Sequence, residues 1–250
     1  GAQLDANGIA KNIHAALEAG IHTFDHADIY GGYTTEADFG AGFAAAKVDR
    51  SDAVFITKCG IRYPDGNHSE QVKHYDYSAA HIRQSAENSL RHLQTDYIDI
   101  FLLHRPSPLL DADEAIGALE HLKSEGKIRE WGVSNFTVSQ MERLAAIASP
   151  AWNQIECSLT HTVPMLDGTM DYLQTRGVGS MAWSPLGSVF KNTPEAQRLR
   201  PVLERLTAKY QCTAAQLVLA WLHRHPAGII PVIGTTQPER IKELAQAHRI

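Results

Sequence analysis

Four segments of the chain share one pattern, in which a helix-like stretch ends at a glycine and a short apolar stretch follows at once. The glycines are Gly20, Gly126, Gly177 and Gly228. Glycine readily takes the left-handed conformation that ends many helices. Four such stops predict repeated helix–strand units. A chain built from such units forms a parallel sheet covered by helices, either open or closed into a barrel.

Seven apolar stretches are predicted as strands, and they begin near residues 21, 53, 97, 128, 153, 178 and 229. The stretch at 97–103 is nearly continuous in apolar side chains, which is typical of strands buried on both faces of a parallel sheet. A (β/α)8 barrel has eight strands and typically ~250 residues. Because the chain opens with a predicted helix, we expect a (β/α)8 barrel that lacks its first strand and its C-terminal tail in this chain.

No linker or low-complexity segment interrupts the 250 residues. The sequence therefore predicts one barrel domain over residues 1–250, with both of its ends missing.

Several predicted helices begin at a residue able to cap them. Ser78 precedes an apolar stripe at helical spacing. Three other starts match the capping box, in which two side chains bond each other's backbone N–H groups. These pairs are Thr137 with Gln140, Thr213 with Gln216, and Thr236 with Glu239.

Composition excludes several function classes. A formal net charge of −5 argues against a broad basic surface for nucleic acid. No stretch approaches the roughly 18–20 apolar residues of a transmembrane helix, so no membrane contact is expected. Three cysteines cannot form a disulfide framework and the first residues do not resemble a signal peptide, which predicts a cytoplasmic protein. No metal-ligand motif occurs, and no metal site is predicted.

Three successive predicted strands end in residues that carry chemistry. Asp25, Lys58 and His104 stand at these ends, and Tyr30 follows shortly after Asp25. In parallel barrels, functional side chains lie at these ends. A buried lysine needs a counter-charge, which Asp25 can supply. A lysine beside a tyrosine favours the phenolate, and a neutral histidine can donate a hydrogen bond to a carbonyl. The set suits protonation of a carbonyl oxygen while a hydride reaches its carbon.

Each of these residues also has a structural interpretation. Asp25 and Lys58 can form an ion pair that only stabilises the fold. Tyr30 can be a half-buried aromatic side chain, and His104 a hydrogen-bonded core histidine. Their joint placement on three successive strands favours a functional site.

Six motifs in order resemble the aldo/keto reductase superfamily, whose members are NAD(P)H-dependent (β/α)8 barrels. The resemblance covers about residues 8–247. The motifs lie at residues 20–31, 57–59, 103–106, 132–136, 153–156 and 182–186. Two segments, 73–76 and 153–159, are similar to the bacterial YdhF-like oxidoreductases within that superfamily.

The resemblance implies an enzyme that transfers hydride from NAD(P)H to a small aldehyde or ketone. It implies Tyr30 as the proton donor, assisted by Lys58, which pairs with Asp25. It implies His104 as the residue that orients the substrate oxygen. Nothing in the sequence identifies a protein partner.

The resemblance also implies how the cofactor is held. The carboxamide of the nicotinamide would be bound by Ser134, Asn135 and Gln154, and the ring would stack on Trp183. The pyrophosphate would lie along Ser184, Pro185, Leu186 and Gly187. The adenosine end would be bound by Gly234, Thr235, Thr236, Arg240 and Glu243. Many relatives have lysine where this chain has Gly234, so NAD(H) stays open beside NADP(H).

A physical argument also supports binding of the adenosine end of the cofactor at these residues. The segment 235–239 opens a predicted helix, and free N–H groups together with the helix dipole favour an anion there. Arg240 lies within the first turns, where a guanidinium can bind a phosphate. The alternative is an ordinary capped surface helix. No GxGxxG fingerprint follows an early strand, so Rossmann-type binding is not expected.

Two other functions stay open at this point. A strand-end lysine in a barrel also suits a Schiff-base aldolase that uses Lys58. A reductase-like regulatory subunit would bind the cofactor without turnover.

The long segment at 60–77 is either a lid or pocket wall, or a surface loop. It holds Tyr63, His68, His74, Tyr75 and Tyr77.

Overall fold

The computed structural model describes residues 4–64 and 70–250, so His68 lies outside the described residues. The chain divides into two compact units. Among the described residues, the first contains 4–14, 22–64 and 70–152, and the second contains 15–21 and 153–250. The single domain expected for residues 1–250 stays a prediction.

The first unit alternates strands and helices. Helix α1 (Ala6–Glu18) precedes them and continues into the second unit. The other elements are β1 (Thr23–Asp25), α2 (Thr35–Ala46), β2 (Val54–Cys59), β3 (Ile61–Arg62), β4 (His74–Tyr75), α3 (Ala79–His92), β5 (Ile98–Leu103), α4 (Ala112–Ser124), β6 (Ile128–Ser134) and α5 (Val138–Ala145).

The second unit continues the alternation. Its elements are β7 (Trp152–Glu156), which begins at the boundary, α6 (Val163–Leu166), α7 (Thr169–Arg176), β8 (Gly179–Trp183), α8 (Pro194–Tyr210), α9 (Ala214–His223), β9 (Ile230–Pro231), α10 (Pro238–Ala245) and a closing 3-10 segment (Gln246–Arg249).

All seven predicted strands are present. In the first unit the order is β1, β2, β5, β6, and neighbouring strands are parallel. Asp25 pairs with Ile56, and Lys58 pairs with Leu102. In the second unit the order is β7, β8, β9, with β8 and β9 parallel. Because neighbouring parallel strands end at the same edge, Asp25, Lys58 and His104 are brought to one edge of the first unit.

The four predicted glycine stops all have positive φ, between +61° and +80°. Three of them end a helix as expected. The fourth prediction, a helix that continues to Ala227, is wrong by four residues, because α9 ends at His223. Pro226 explains the early end, since its ring has no N–H to donate and clashes with the preceding turn.

Helix capping follows the sequence at three of four predicted starts. Ser78 accepts a hydrogen bond from the backbone of His81, and the boxes that begin at Thr137 and Thr213 are complete. The box predicted at Thr236 is wrong. Because Pro238 takes the first helical position, the N-cap residue of α10 is Gln237, and its side chain forms no capping bond.

The segment at 60–77 contains a short antiparallel ladder. β3 and β4 pair Ile61 with Tyr75 and Arg62 with His74. The ladder was not predicted, because two-residue strands carry no measurable alternation of polar and apolar side chains. Arg62 bonds the carboxylate of Asp76 at 3.1 Å and also that of Glu70.

No helix within residues 4–64 and 70–250 has the length and apolar character needed to cross a membrane. The cytoplasmic location expected from the sequence stays a prediction.

Candidate active site

Four predicted residues cluster at the carboxyl edge of the first unit. Asp25 ends β1, Lys58 lies in β2, and His104 directly follows β5. The Lys58 Nζ lies 2.7 Å from Asp25 Oδ2, 2.6 Å from the carbonyl oxygen of His26 and 3.4 Å from Tyr30 Oη. The rings of Tyr30 and His104 meet edge to face, with centroids 5.8 Å apart. The ion pair expected between Asp25 and Lys58 is therefore present.

Exposure differs sharply within this cluster. Lys58 is fully buried, whereas Tyr30 is 37% exposed. A buried ammonium is costly unless it is paired and hydrogen-bonded, and here Asp25 and the His26 carbonyl meet that need. The cluster therefore presents one accessible phenol backed by a buried cation.

His104 is buried and neutral. Burial, followed by the charges of Lys58, Arg105 and Lys73, lowers the pKa of His104 to about 3. Its backbone N–H donates to the carbonyl of Cys59 at 2.9 Å, and its Nδ1 has no hydrogen-bond partner among the described residues. A neutral imidazole can donate one hydrogen bond to a carbonyl oxygen, as the predicted role requires.

Asp28 belongs beside this cluster, although the sequence assigned it no role. Its backbone N–H donates to the carbonyl of Lys58 at 3.0 Å, and its Oδ2 accepts from Ser85 Oγ at 2.9 Å. Its Oδ1 is buried without a hydrogen-bond partner among the described residues. Burial, with a smaller contribution from the charge of Glu36, raises the pKa of Asp28 to about 7 against the opposing effects of Ser85 and Lys58. The only sequence signal was its place in the motif after β1.

Asp28→Asn should make the protein more stable at neutral and basic pH. The pKa of Asp28 is about 7 in the folded protein, whereas the ordinary pKa of an aspartate is 3.8. The unfolded chain therefore loses this proton first as pH rises, and Asp28 lowers the free energy of unfolding progressively between about pH 4 and 7. The variant keeps an acceptor for Ser85. Relative to wild type, we expect a gain that grows across this range to at most about 4 kcal/mol, at ~1.36 kcal/mol per unit.

Urea unfolding at about pH 5 and pH 8 measures this difference. The exposed Asp96 provides a matched control, since Asp96→Asn removes a solvated carboxylate and should give no such gain. A stability difference that is the same at both pH values would contradict the ionisation assigned to Asp28.

The remaining candidates of the first unit lie at the end of β6. Ser134 is buried, and Asn135 Nδ2 donates to Ser134 Oγ at 2.7 Å. Asn135 has φ of +63°, a conformation that non-glycine residues seldom adopt and that is common at functional loops.

The second unit holds the other cofactor candidates. Gln154 is buried in β7, where its Nε2 lies 3.8 Å from Met181 Sδ, and Trp183 ends β8 half-buried. Ser184 is exposed and Pro185 is buried. Gly187 has φ of +52°, and a Cβ there would clash with the hydroxyls of Ser158 and Thr160.

Two loops of the second unit are anchored to one core cluster. Leu186 and Ile233 both pack against it, and they precede Gly187 and Gly234 directly. The cluster consists of Ala215, Leu219, Leu244 and Ala247. The two loops predicted to follow the pyrophosphate and adenosine thus pack against the same elements, which are α9, α10 and the closing 3-10 segment.

The start of α10 has the features of an anion site. Its N-cap forms no side-chain bond, and Thr235 Oγ1 instead accepts from the backbone N–H of Gln237. Arg240 is exposed and forms no ion pair within the described part of the chain. Glu243 differs, because its carboxylate accepts from Thr213 Oγ1 at 2.8 Å. Glu243 therefore joins α9 to α10.

Comparisons with known proteins agree on one family. The sequence matches the Aldo/keto reductase family over residues 2–250. The 6-dehydroglucose reductase of Agrobacterium fabrum is 44% identical, over 97% of this chain and 82% of that protein. The oxidoreductase YdhF of Escherichia coli is 39% identical, over 99% of this chain and 84% of that protein.

Solved structures agree as well. A thermostable aldo-keto reductase, Tm1743, in complex with the inhibitor epalrestat, superposes with a TM-score of 0.83 at 25% identity and covers 98% of this chain and 83% of its own. An aldo-keto reductase from Klebsiella pneumoniae in complex with NADPH has a TM-score of 0.79 at 28% identity, with coverage of 98% and 80%.

Proposed function

Because the chain belongs to the aldo/keto reductase family and its fold matches that of a solved aldo-keto reductase, we propose that it is an oxidoreductase that uses NADP(H) to reduce an aldehyde or ketone to an alcohol. The expected similarity to YdhF-like oxidoreductases is confirmed. The observation that carries the proposal is the exposed Tyr30 phenol 3.4 Å from the buried, paired ammonium of Lys58.

The proton side of the reaction follows from these contacts. Tyr30 donates its phenolic proton to the carbonyl oxygen, and the neutral His104 donates a hydrogen bond to the same oxygen. The ammonium of Lys58 stabilises the phenolate that remains, while Asp25 and the His26 carbonyl hold that ammonium in place. The nicotinamide, when bound, supplies the hydride. Proton donation of this kind typically contributes about 10²–10⁴-fold to a rate.

The donor groups present fit a phosphate-bearing dinucleotide. Hydroxyl and amide groups at Ser134, Asn135 and Gln154 match a carboxamide, and Trp183 offers a ring for stacking. Ser184, Pro185, Leu186 and Gly187 form the loop proposed for the pyrophosphate. The uncapped start of α10 supports binding of an anion by Gly234, Thr235, Thr236 and Arg240. Glu243 would contribute by holding α10 against α9.

The aldolase alternative is disfavoured by one contact. The Lys58 ammonium lies 2.7 Å from the Asp25 carboxylate in a buried site, and an ammonium held in an ion pair has no lone pair with which to attack a carbonyl. Borohydride trapping separates the two functions, since only an imine-forming Lys58 would be labelled covalently.

Turnover with NADPH tests the proposal. Purified protein should oxidise NADPH in proportion to alcohol formed when it is given simple aldehydes, ketones and sugar aldehydes. A sugar oxidised to an aldehyde at its terminal carbon belongs in the panel, because the Agrobacterium relative is named a 6-dehydroglucose reductase. Binding of NADPH without turnover on any carbonyl would favour the regulatory-subunit alternative, and absence of NADPH binding would contradict both.

Arg240→Ala should weaken NADPH binding much more than NADH binding. The 2′-phosphate is the anion proposed to face this guanidinium. A hydrogen bond to a charged group contributes ~1.5–3 kcal/mol to binding. Because Arg240 is exposed to solvent, we expect its contribution to lie at the lower end of that range. At ~1.4 kcal/mol per tenfold, we expect about ten- to thirtyfold weaker NADPH binding. Quenching of tryptophan fluorescence measures both affinities.

A neighbouring cation supplies the control. Lys242 lies on the same helix but bonds Glu18 at 2.8 Å, so Lys242→Ala should leave the affinity for NADPH nearly unchanged. Equal weakening of NADPH and NADH in Arg240→Ala would place this residue away from the 2′-phosphate.

A further inference from the structure

Tyr77 lies against the backbone that follows β2. Its side chain is buried, at 6% exposure. The ring occupies the space beside Gly60, where a Cβ would overlap the ring atoms, and Gly60 has φ of +103°. A glycine is therefore required at position 60 for Tyr77 to pack there. The Tyr77 ring therefore packs on Gly60, which is two positions after Lys58 in the sequence.

The Tyr77 hydroxyl binds both backbone groups of one residue. It accepts a hydrogen bond from the N–H of Arg105 at 3.0 Å and donates one to the carbonyl of Arg105. Burial raises the pKa of Tyr77, so the hydroxyl stays protonated and can act as donor and acceptor together.

Arg105 directly follows His104, so these bonds fix the main chain beside the imidazole. On the other side, the backbone N–H of His104 donates to Cys59 at 2.9 Å. The main chain is thus held at His104 by a direct bond to Cys59, and at Arg105 by Tyr77, whose ring packs on Gly60. Because His104 Nδ1 has no hydrogen-bond partner among the described residues, these backbone bonds and the packing on Tyr30 orient its ring.

We propose that Tyr77 is a positioning residue for His104: its hydroxyl holds the backbone of Arg105 so that the imidazole faces the carbonyl oxygen bound beside Tyr30. This inference rests on the proposed function. It predicts that loss of the hydroxyl alone, with the ring retained, displaces His104.

Tyr77→Phe tests the role in catalysis. The variant keeps the ring over Gly60 and removes both hydrogen bonds. A displacement of about 1 Å at a reacting group can cost ~10²-fold, so we expect kcat/KM for carbonyl reduction to fall by about 10- to 100-fold. The Kd for NADPH should stay unchanged. The exposed Tyr75 on β4 gives a matched control, and Tyr75→Phe should leave kcat/KM unaltered.

A double-mutant cycle separates positioning from general stabilisation. If Tyr77 acts through His104, then Tyr77→Phe should cost nothing further in a His104→Ala background. A role in stability alone would give losses that add. Additive losses would therefore overturn the proposal.

A measurement without substrate keeps this inference distinct from the proposed function. In protein with ¹⁵N-labelled histidine, the His104 ring signals, identified by their absence in His104→Ala, should shift in Tyr77→Phe. They should not shift in Tyr63→Phe, which removes a hydroxyl that instead bonds the carbonyl of Ile29 at 3.0 Å. Unchanged His104 signals in Tyr77→Phe would overturn the positioning role. A wild-type protein that reduces no carbonyl would overturn the proposed function, whatever these signals show.

Discussion

Tyr30→Phe should lower the rate of carbonyl reduction by about 10²–10⁴-fold, the range of a well-placed general acid. The substitution removes one oxygen and keeps the ring against His104. Among the described residues, Tyr30 supplies the one hydroxyl within hydrogen-bonding distance of the Lys58 ammonium, so no neighbour replaces the lost donor. The Kd for NADPH should change little, because the cofactor-binding residues proposed above do not include Tyr30.

Single-turnover oxidation of NADPH measures this loss free of product release. Tyr33→Phe is the matched control, because Tyr33 lies in the same turn but stacks on Tyr63 at 5.3 Å. The control should retain turnover within a few-fold of wild type. Turnover near the wild-type rate in Tyr30→Phe would remove this phenol from the mechanism.

The main features of the fold could be predicted from the sequence because they are local. The glycine stops require only a short helix followed by one residue with positive φ. The strand at 97–103 could be predicted because its side chains are almost all apolar. Where the sequence misled, two local signals competed. Thr236 and Glu239 matched a capping box, but Pro238 fixes the first helical position one residue later.

The site was predictable only in part, for a different reason. Asp25, Lys58 and His104 end successive strands, so parallel pairing alone brings them to one edge. Tyr77 and Asp28 act through contacts that no short-range pattern encodes. Tyr77 meets a residue 28 positions away, and Asp28 meets Ser85 at a separation of 57 positions. Contacts between residues so far apart in the sequence depend on the tertiary fold, which a local sequence pattern does not specify.

Lys58→Met should abolish turnover about as fully as Tyr30→Phe and should also destabilise the fold. Methionine fills much of the buried volume but leaves the Asp25 carboxylate, which is 14% exposed, without its cation. Removing one partner of a buried pair typically costs about 3–5 kcal/mol. The variant therefore mixes two effects, a lost catalytic cation and an unpaired charge.

A second variant separates those effects. Asp25→Asn combined with Lys58→Met removes the unpaired charge, so we expect it to recover part of the free energy of unfolding without recovering turnover. Urea unfolding measures the free energy, and single-turnover oxidation of NADPH measures the activity. If the double variant recovers stability and also turns over near the wild-type rate, the contact of 3.4 Å between Lys58 and Tyr30 serves the fold and not proton transfer.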